Sequence, residues 1–333
     1  VEALRVAVVG LGWWGRTIVP LLKGSAKLKV VKGVDPAPAA AEFARQQGIP
    51  HETSFEKVLR DPEVQGVVLC TPHTQHTEQI IAAAKAKKHV FCEKPLSLSR
   101  ADVLRAVKAC NENRVALAVG HEKRFEPPVQ AVFQMARAGE LGTLLQVEAN
   151  FSQDKFLSLA PDNWRLSEKE APAGPMTATG IHLLDLAVGL LGPAEAVFAR
   201  VRQLGSQLAN GDTLGIFVSF KNGSNALISA ILATPFDGRF AVYGNKGWAE
   251  VRDRAHPEAP QGWALMTTMR GKERQTQNFP AAKAVLANLE AFADAAAGRA
   301  PYPVPQEQMI ANVSALEAVL RSVKSGAVER VES

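Results

Sequence analysis

Up to about residue 120, short β-branched-rich runs alternate with longer amphipathic stretches, and this rhythm restricts the fold more than any other feature of the chain. The runs are residues 5–9, 28–34, 66–70, 89–92 and 115–119. Unbroken apolar runs of about five residues are how strands read when both faces are buried, as in a parallel sheet. Between them lie helix-like stretches at 14–23, 37–47, 74–87 and 99–113, the last opened by Ser99 with Asp102 three residues on, close to a capping box. Strand and helix in alternation predict right-handed βαβ units and a doubly wound parallel sheet.

The rhythm changes after His121. Pro127-Pro128 opens a helix-like stretch to Ala138, and strand-like segments follow at 144–151, 197–201, 214–220, 225–230, 239–243 and 263–269. Turn signals such as Asn210-Gly211-Asp212 and Asn222-Gly223 separate them, which predicts antiparallel pairing. Helix-like stretches at 180–191, 281–297 and 306–324 complete the pattern, with the Pro-rich segment 300–305 read as a stiff connector. At roughly 150 residues per domain, 333 residues suggest two. The expected fold class is therefore α/β, with a doubly wound parallel sheet over residues 1–121. An α+β domain with a large, mostly antiparallel sheet follows over 122–333.

Composition mainly excludes. With 47% hydrophobic and 21% charged residues a sizeable core is available. The net charge of +5 comes without any run of five or six basic residues, so nucleic acid is not an expected partner. Cys70, Cys92 and Cys110 have no CxxC spacing, so buried thiols are expected, with neither a disulfide framework nor a metal site. No basic region followed by an apolar stretch and cleavage site opens the chain, and no apolar run approaches the ~20 residues of a membrane span. A soluble, cytoplasmic protein is expected, although the missing initiator methionine leaves a trimmed end open.

Gly10-Leu11-Gly12-Trp13-Trp14-Gly15 follows the first strand and opens the first helix. The glycines allow a tight turn, close backbone approach to a pyrophosphate and close helix–strand contact, while the helix N-terminus offers N–H groups and a positive dipole end. Asp35 ends the second run, 20 residues after Gly15, where a carboxylate accepts both ribose hydroxyls of a dinucleotide. No Lys or Arg follows in Pro36-Ala37-Pro38 to receive a 2′-phosphate, which favours NAD over NADP. For Trp13 and Trp14, helix packing and flanking of the cofactor are equally open readings.

Thr71-Pro72-His73-Thr74-Gln75-His76 and Glu93-Lys94-Pro95 each follow a strand, at the carboxyl ends where open α/β sheets place their ligands. A lysine held immediately before proline is a poor choice for a solvated charge, and a partly desolvated one suits acid/base work on a substrate hydroxyl.

Together with Gly180-Ile181-His182-Leu183-Leu184-Asp185, these segments resemble the glucose–fructose oxidoreductase/inositol dehydrogenase/rhizopine-catabolism (Gfo/Idh/MocA) family over nearly the whole chain. The resemblance implies a Rossmann domain whose cofactor residues are Gly10, Gly12, Trp13, Trp14, Gly15, Asp35, Thr71, Pro72, His73, His76, Glu93 and Lys94. It implies catalysis by Lys94, beside the nicotinamide, and by His182 as proton acceptor. Asp185 is then a substrate-binding or supporting acid. The family's usual aspartate four residues before the histidine is Ala178 here, which puts the Lys–Asp–His relay in doubt. His121 is the candidate replacement, and Arg124 and Arg165 are cations for a substrate carboxylate, whereas Lys123 reads better as a solvated face. A homodimer or homotetramer through the second domain's sheet is also implied.

The reading is an NAD(P)-dependent dehydrogenase or reductase that interconverts a secondary alcohol and a ketone on a sugar, inositol, sugar acid or carboxylated cyclic diol. Two rivals stand beside it. One is a lyase or glycosidase that keeps NAD bound and uses transient oxidation. The other is a sugar- or cofactor-sensing protein without chemistry.

Overall fold

The computed structural model describes residues 2–332, so the termini of the two expected domain spans, Val1 and Ser333, lie outside the described residues. The chain divides into two compact units. One runs to His121 and includes Val285–Met309. The other comprises Glu122–Ala284 and the chain from Ile310.

In the first unit the strands are β1 (Leu4–Val9), β2 (Leu28–Val34), β3 (His51–Glu52), β4 (Gly66–Leu69), β5 (His89–Cys92) and β6 (Leu117–Val119). They form one sheet in the order β3-β2-β1-β4-β5-β6, with every pairing parallel. That order, outward in both directions from β1, is the doubly wound dinucleotide-binding topology. The intervening helices are α1 (Trp13–Leu22), α2 (Pro38–Gln47), α3 (Phe55–Arg60), α4 (His76–Lys85) and α5 (Arg100–Asn113). Ser99 caps α5 by accepting the Asp102 N–H, as its spacing predicts. The two-residue β3 and the one-and-a-half-turn α3 are too short to show a periodicity, and neither was expected. All three cysteines are buried and unbridged. Burial pushes the Cys110 thiol up to about 12 and the Cys92 thiol well above the ordinary range.

The α-helix α8 (Ala284–Ala296) belongs to this unit apart from its first residue, although it lies far along the chain. Its Leu289, Phe292 and Ala293 join Val6, Val8, Ile18, Val68 and Phe91 in one core cluster, and Phe292 meets Phe91 edge to face at 5.9 Å. A single cut at residue 122 therefore needs correcting. Apolar side chains on α8 cover sheet surface that the preceding helices leave open. The proline-rich segment does more than connect, because Tyr302 Oη donates to the Val119 carbonyl at 2.8 Å, beside Asn288 Nδ2 at 3.0 Å.

The second unit is built on β7 (Leu144–Ser152), β8 (Ala194–Arg202), β9 (Thr213–Phe220), β10 (Asn225–Ile231), β11 (Asp237–Gly244), β12 (Gly247–Asp253), β13 (Trp263–Met269), β14 (Gln275–Phe279) and β15 (Glu329–Arg330). These make a nine-stranded sheet in the order β14-β13-β12-β11-β7-β10-β9-β8-β15, antiparallel throughout except for β10 beside β7. The runs read from sequence lacked β12, whose Trp248, Glu250 and Arg252 alternate with Ala249 and Val251, as well as the polar β14 and the two-residue β15. The helices are α6 (Pro127–Arg137), α7 (Ile181–Leu191) and α9 (Gln306–Ser325), of which α9 starts within the first unit's residues. One sheet face is buried through Val147, Ala149, Val218, Ile228, Val242 and Val251. Its other face carries Phe198, Phe217 and Leu227 in register across three strands, with Phe217 41% and Leu227 43% exposed. Beside them lies an ion network of Arg239 with Glu148 and Glu250. Among the described residues no helix is long and apolar enough to cross a membrane.

Candidate active site

The glycine turn divides into two structural positions and one open one. Gly10 has φ +89°, and a Cβ there would lie 2.8 Å from the Cys70 carbonyl. A Cβ on Gly15 would fall 2.0 Å from the Gly10 oxygen. At Gly12 a Cβ would meet nothing within 4 Å. No side chain caps α1 there, and its first turn holds no acidic residue. An exposed, uncapped helix N-terminus with open space over its glycine fits a pyrophosphate. Asp35 lies alongside, its Oδ2 accepting the Leu11 N–H at 2.7 Å and its Oδ1 the Ala37 N–H at 2.8 Å. A carboxylate oxygen accepts more than one hydrogen bond, so bracing the turn is compatible with holding a ribose. Trp14 is half-buried and packs against the core cluster. Trp13 starts the helix, half-buried, and its carbonyl accepts from the Thr17 hydroxyl.

The loops after β4 and β5 are tied together by His76. Its ring is fully buried, with Nδ1 2.8 Å from the Pro95 carbonyl and Nε2 3.0 Å from that of Thr71. Burial lowers its pKa, against the pull of the two carbonyls. The expectation that His76 contacts the cofactor is corrected, since both ring nitrogens are taken by loop backbone and the residue positions Thr71 and Pro95. His73 stacks edge to face on it at 5.8 Å, and the Thr71 hydroxyl donates to Gln79. Pro72 starts the short turn that carries His73. The Glu93 carboxylate lies against Gly120, where a Cβ would come within 2.5 Å of Oε2, and it accepts the Lys94 N–H at 3.3 Å. Lys94 is half-buried and precedes a cis proline bond. His121, just beyond β6, is buried, and its N–H donates to the Val119 carbonyl.

In the second unit His182 stands in the first turn of α7, directly after a π-helical turn, Met176–Gly180, that contains Ala178. Such wide turns recur at functional sites. The chain leading into this turn is held by Asn210, whose Nδ2 donates to the Arg165 and Ala171 carbonyls and whose own backbone carbonyl accepts the Gly174 N–H. His182 packs on Phe151 with ring centroids 6.1 Å apart, and its Nδ1 is 3.5 Å from Glu122 Oε2.

Three expectations change here. Arg124 and Asp185, both read as substrate contacts, grip each other instead: Nε–Oδ2 is 2.6 Å and Nη2–Oδ1 is 3.0 Å. The pair is buried, and Gly189 leaves the room for the guanidinium, since a Cβ there would fall 2.3 Å from Nη1. A buried, two-pronged ion pair of this kind supports α7. Lys123, read as a solvated face, is 4% exposed and lies 3.2 Å from both Glu126 Oε1 and Asp253 Oδ1. Burial opposes its charge, but Asp253 and Glu126 outweigh that and raise its pKa. Glu126 goes the other way, pushed up to about 8 by burial despite Lys123. Arg165 lies over the Trp164 ring at 4.4 Å.

Sequence reading missed Glu122, Glu126, Asp253 and His256. The last accepts from Lys155 Nζ at Nδ1 and faces Gln153 Oε1 at 2.6 Å. Burial, with Lys155 and Lys123, lowers His256 to about 3, so it is neutral. Glu122 and Glu126 flank Lys123 and were findable from that spacing. Asp253, 130 residues from Lys123, had no local signal. Among the described residues no cluster of His, Cys, Asp and Glu is arranged to hold a metal.

The profile of an oxidoreductase family with an NAD-binding Rossmann fold matches residues 4–121, and that of the GFO/IDH/MocA C-terminal domain matches residues 129–250. The chain belongs to the Gfo/Idh/MocA family of NAD(P)-dependent oxidoreductases and is an enzyme of that kind. It is 30% identical to the myo-inositol 2-dehydrogenase of Thermotoga maritima over 73% of this chain and 74% of that one. It is 28% identical to the 1,5-anhydro-D-fructose reductase of Ensifer adhaerens over 89% of both. In fold it matches aldose-aldose oxidoreductase from Caulobacter crescentus, with a TM-score of 0.86 and 24% identity over 98% of this chain and 99% of that one.

Proposed function

We propose that the enzyme interconverts a secondary alcohol and a ketone on a ring polyol or sugar, with NAD as the preferred cofactor. The observation that carries this is the open, uncapped turn at Gly12, braced by Asp35, in a chain that keeps both Lys94 and His182. Gly10, Gly12 and Gly15 would hold the pyrophosphate and Asp35 the adenosine ribose, where its charge disfavours a 2′-phosphate. Thr71, Pro72, His73, Glu93 and Lys94 would line the nicotinamide half. When bound, the cofactor supplies the hydride acceptor or donor.

His182 accepts the hydroxyl proton during oxidation and returns it during reduction. The Lys94 ammonium suits stabilisation of negative charge on a reacting oxygen. His121 and Arg165 remain proposed substrate contacts. Arg124, one of the two cations invoked for a substrate carboxylate, pairs with Asp185 instead, and the neighbouring Lys123 pairs with Glu126 and Asp253. That moves the reading from carboxylated diols towards uncharged polyols.

A panel of inositols, aldoses, anhydrosugars, sugar acids and cyclic diols, followed by nicotinamide absorbance with NAD and NADP, tests this reading. Accumulation of NADH with a polyol is the expected result. Product formation without net NADH would replace the dehydrogenase reading with one of transient oxidation. The exposed row Phe198, Phe217 and Leu227 supports pairing of the sheet face with a second copy of the chain, because contiguous apolar surface beside a charged network suits a self-complementary interface. Sedimentation of Phe217→Glu, expected to be of lower mass than the parent, tests that pairing.

A further inference from the structure

We propose that Glu122 is the carboxylate partner of His182 in this enzyme, a positioning residue that aims the ring and favours its protonated form. This rests on the reading of His182 as proton acceptor.

Glu122 and His182 both belong to the second unit. Glu122 Oε2 lies 3.5 Å from His182 Nδ1, with side chains 10% and 4% exposed. That is ion-pair distance for an imidazolium, in surroundings where little water screens it. Glu122 approaches the Nδ1 side of the ring, at ion-pair rather than hydrogen-bond distance, which is the side from which a carboxylate orients a catalytic histidine. The Phe151 ring packs on His182 and brings no charge.

The charges around the pair favour a further cation. Glu122 neighbours Lys123, whose Nζ also serves Glu126 and Asp253, while Asp185, on the same helix as His182, serves Arg124. Carboxylates outnumber the cation in the Lys123 group, and burial pushes the Glu126 carboxyl up to about 8. A proton arriving at His182 supplies positive charge to the same group. Ala178, where the resemblance leads one to expect an aspartate, cannot do this, and Glu122 brings the missing carboxylate from a different element. It lies in the short turn Glu122–Phe125 that follows β6.

The test uses the full chain with 15N-labelled histidine and the His182 signals assigned by their loss in His182→Asn. In Glu122→Gln, which keeps the side chain's shape, the His182 titration midpoint is expected to fall by about one pH unit or more. Turnover number is expected to fall on the order of tenfold or more with less change in KM. Glu122→Asp should recover part of both. An unchanged midpoint in Glu122→Gln would overturn the proposal whatever His182 does in catalysis. If the midpoint falls but His182→Asn keeps full activity, the coupling stands and the proton-acceptor reading fails.

Discussion

The two units present their candidate groups by different means. In the first, backbone does the presenting: the Gly12 turn, the loop carrying Thr71 and Pro72, and the Glu93–Pro95 segment all leave sheet ends at positions set by glycine and proline. The second unit positions His182 with charged side chains buried around it, Arg124 on Asp185 and Lys123 on Glu126 and Asp253. Backbone devices tolerate side-chain change but not an added Cβ. Buried ion pairs tolerate little change in either partner, because the survivor is left charged without compensation.

The largest effect expected is chemical. Lys94→Met should lower turnover by about 10²–10⁴-fold while NADH binding, followed by fluorescence titration, persists. Full activity in that variant would remove the first unit's claim to any proton chemistry. For the second unit, Asp185→Leu should cost about 3–5 kcal/mol of stability in denaturant unfolding. A loss under about 1 kcal/mol would show that burial of the Arg124 pair is not what holds α7.

Within the glycine turn, Gly15 and Gly12 differ in what a methyl group would meet. Gly15→Ala places a methyl 2.0 Å from the Gly10 oxygen and should cost about 3 kcal/mol or more. Gly12→Ala meets open space, so its melting temperature should stay near the parent's while NADH binding weakens. Equal melting losses in both variants would dissolve the distinction between structural and ligand-facing glycine. Asp35→Asn keeps an acceptor for Leu11 and should reduce the preference for NADH over NADPH on the order of tenfold, measured as a ratio of dissociation constants.

The smallest effects are pH slopes of the second unit. The folded-state pKa of His256 is depressed to about 3, so its contribution is full above the ordinary histidine range and is lost as pH falls from about 6.5 towards 3. That of Glu126 is raised to about 8, so its contribution is full below the ordinary 4.5 and is lost as pH rises through 8. His256→Gln should flatten the acid side of a plot of melting temperature against pH, and Glu126→Gln the alkaline side. Each change should amount to a few degrees. Opposite slopes would mean that these groups titrate in surroundings unlike those described.

Legibility in the sequence follows the same division. The parallel sheet, the turn Gly10–Gly15 and the Glu93-Lys94-Pro95 segment were readable because backbone constraints demand particular residues at adjacent positions. His182 was readable only through its companions, as a histidine among apolar residues on a buried helix. The pairing of Arg124 with Asp185 and the depth of Lys123 were not, because each depends on a partner at a sequence distance that no local period connects. His76 shows an intermediate case: the spacing located it, but only geometry showed that it joins two loops rather than meeting a ligand.

The place of α8 in the chain has a consequence for synthesis. The first six strands leave the ribosome early, yet the surface around Phe91 and Val6 waits for Leu289 and Phe292, made after nearly the whole antiparallel sheet. The amino-terminal portion must therefore persist as an incompletely sealed intermediate while the rest is translated, exposed to chaperones and to aggregation. A fragment ending at His121 should remain in that state, so excising a nucleotide-binding module at the apparent boundary would yield a sticky, poorly cooperative polypeptide.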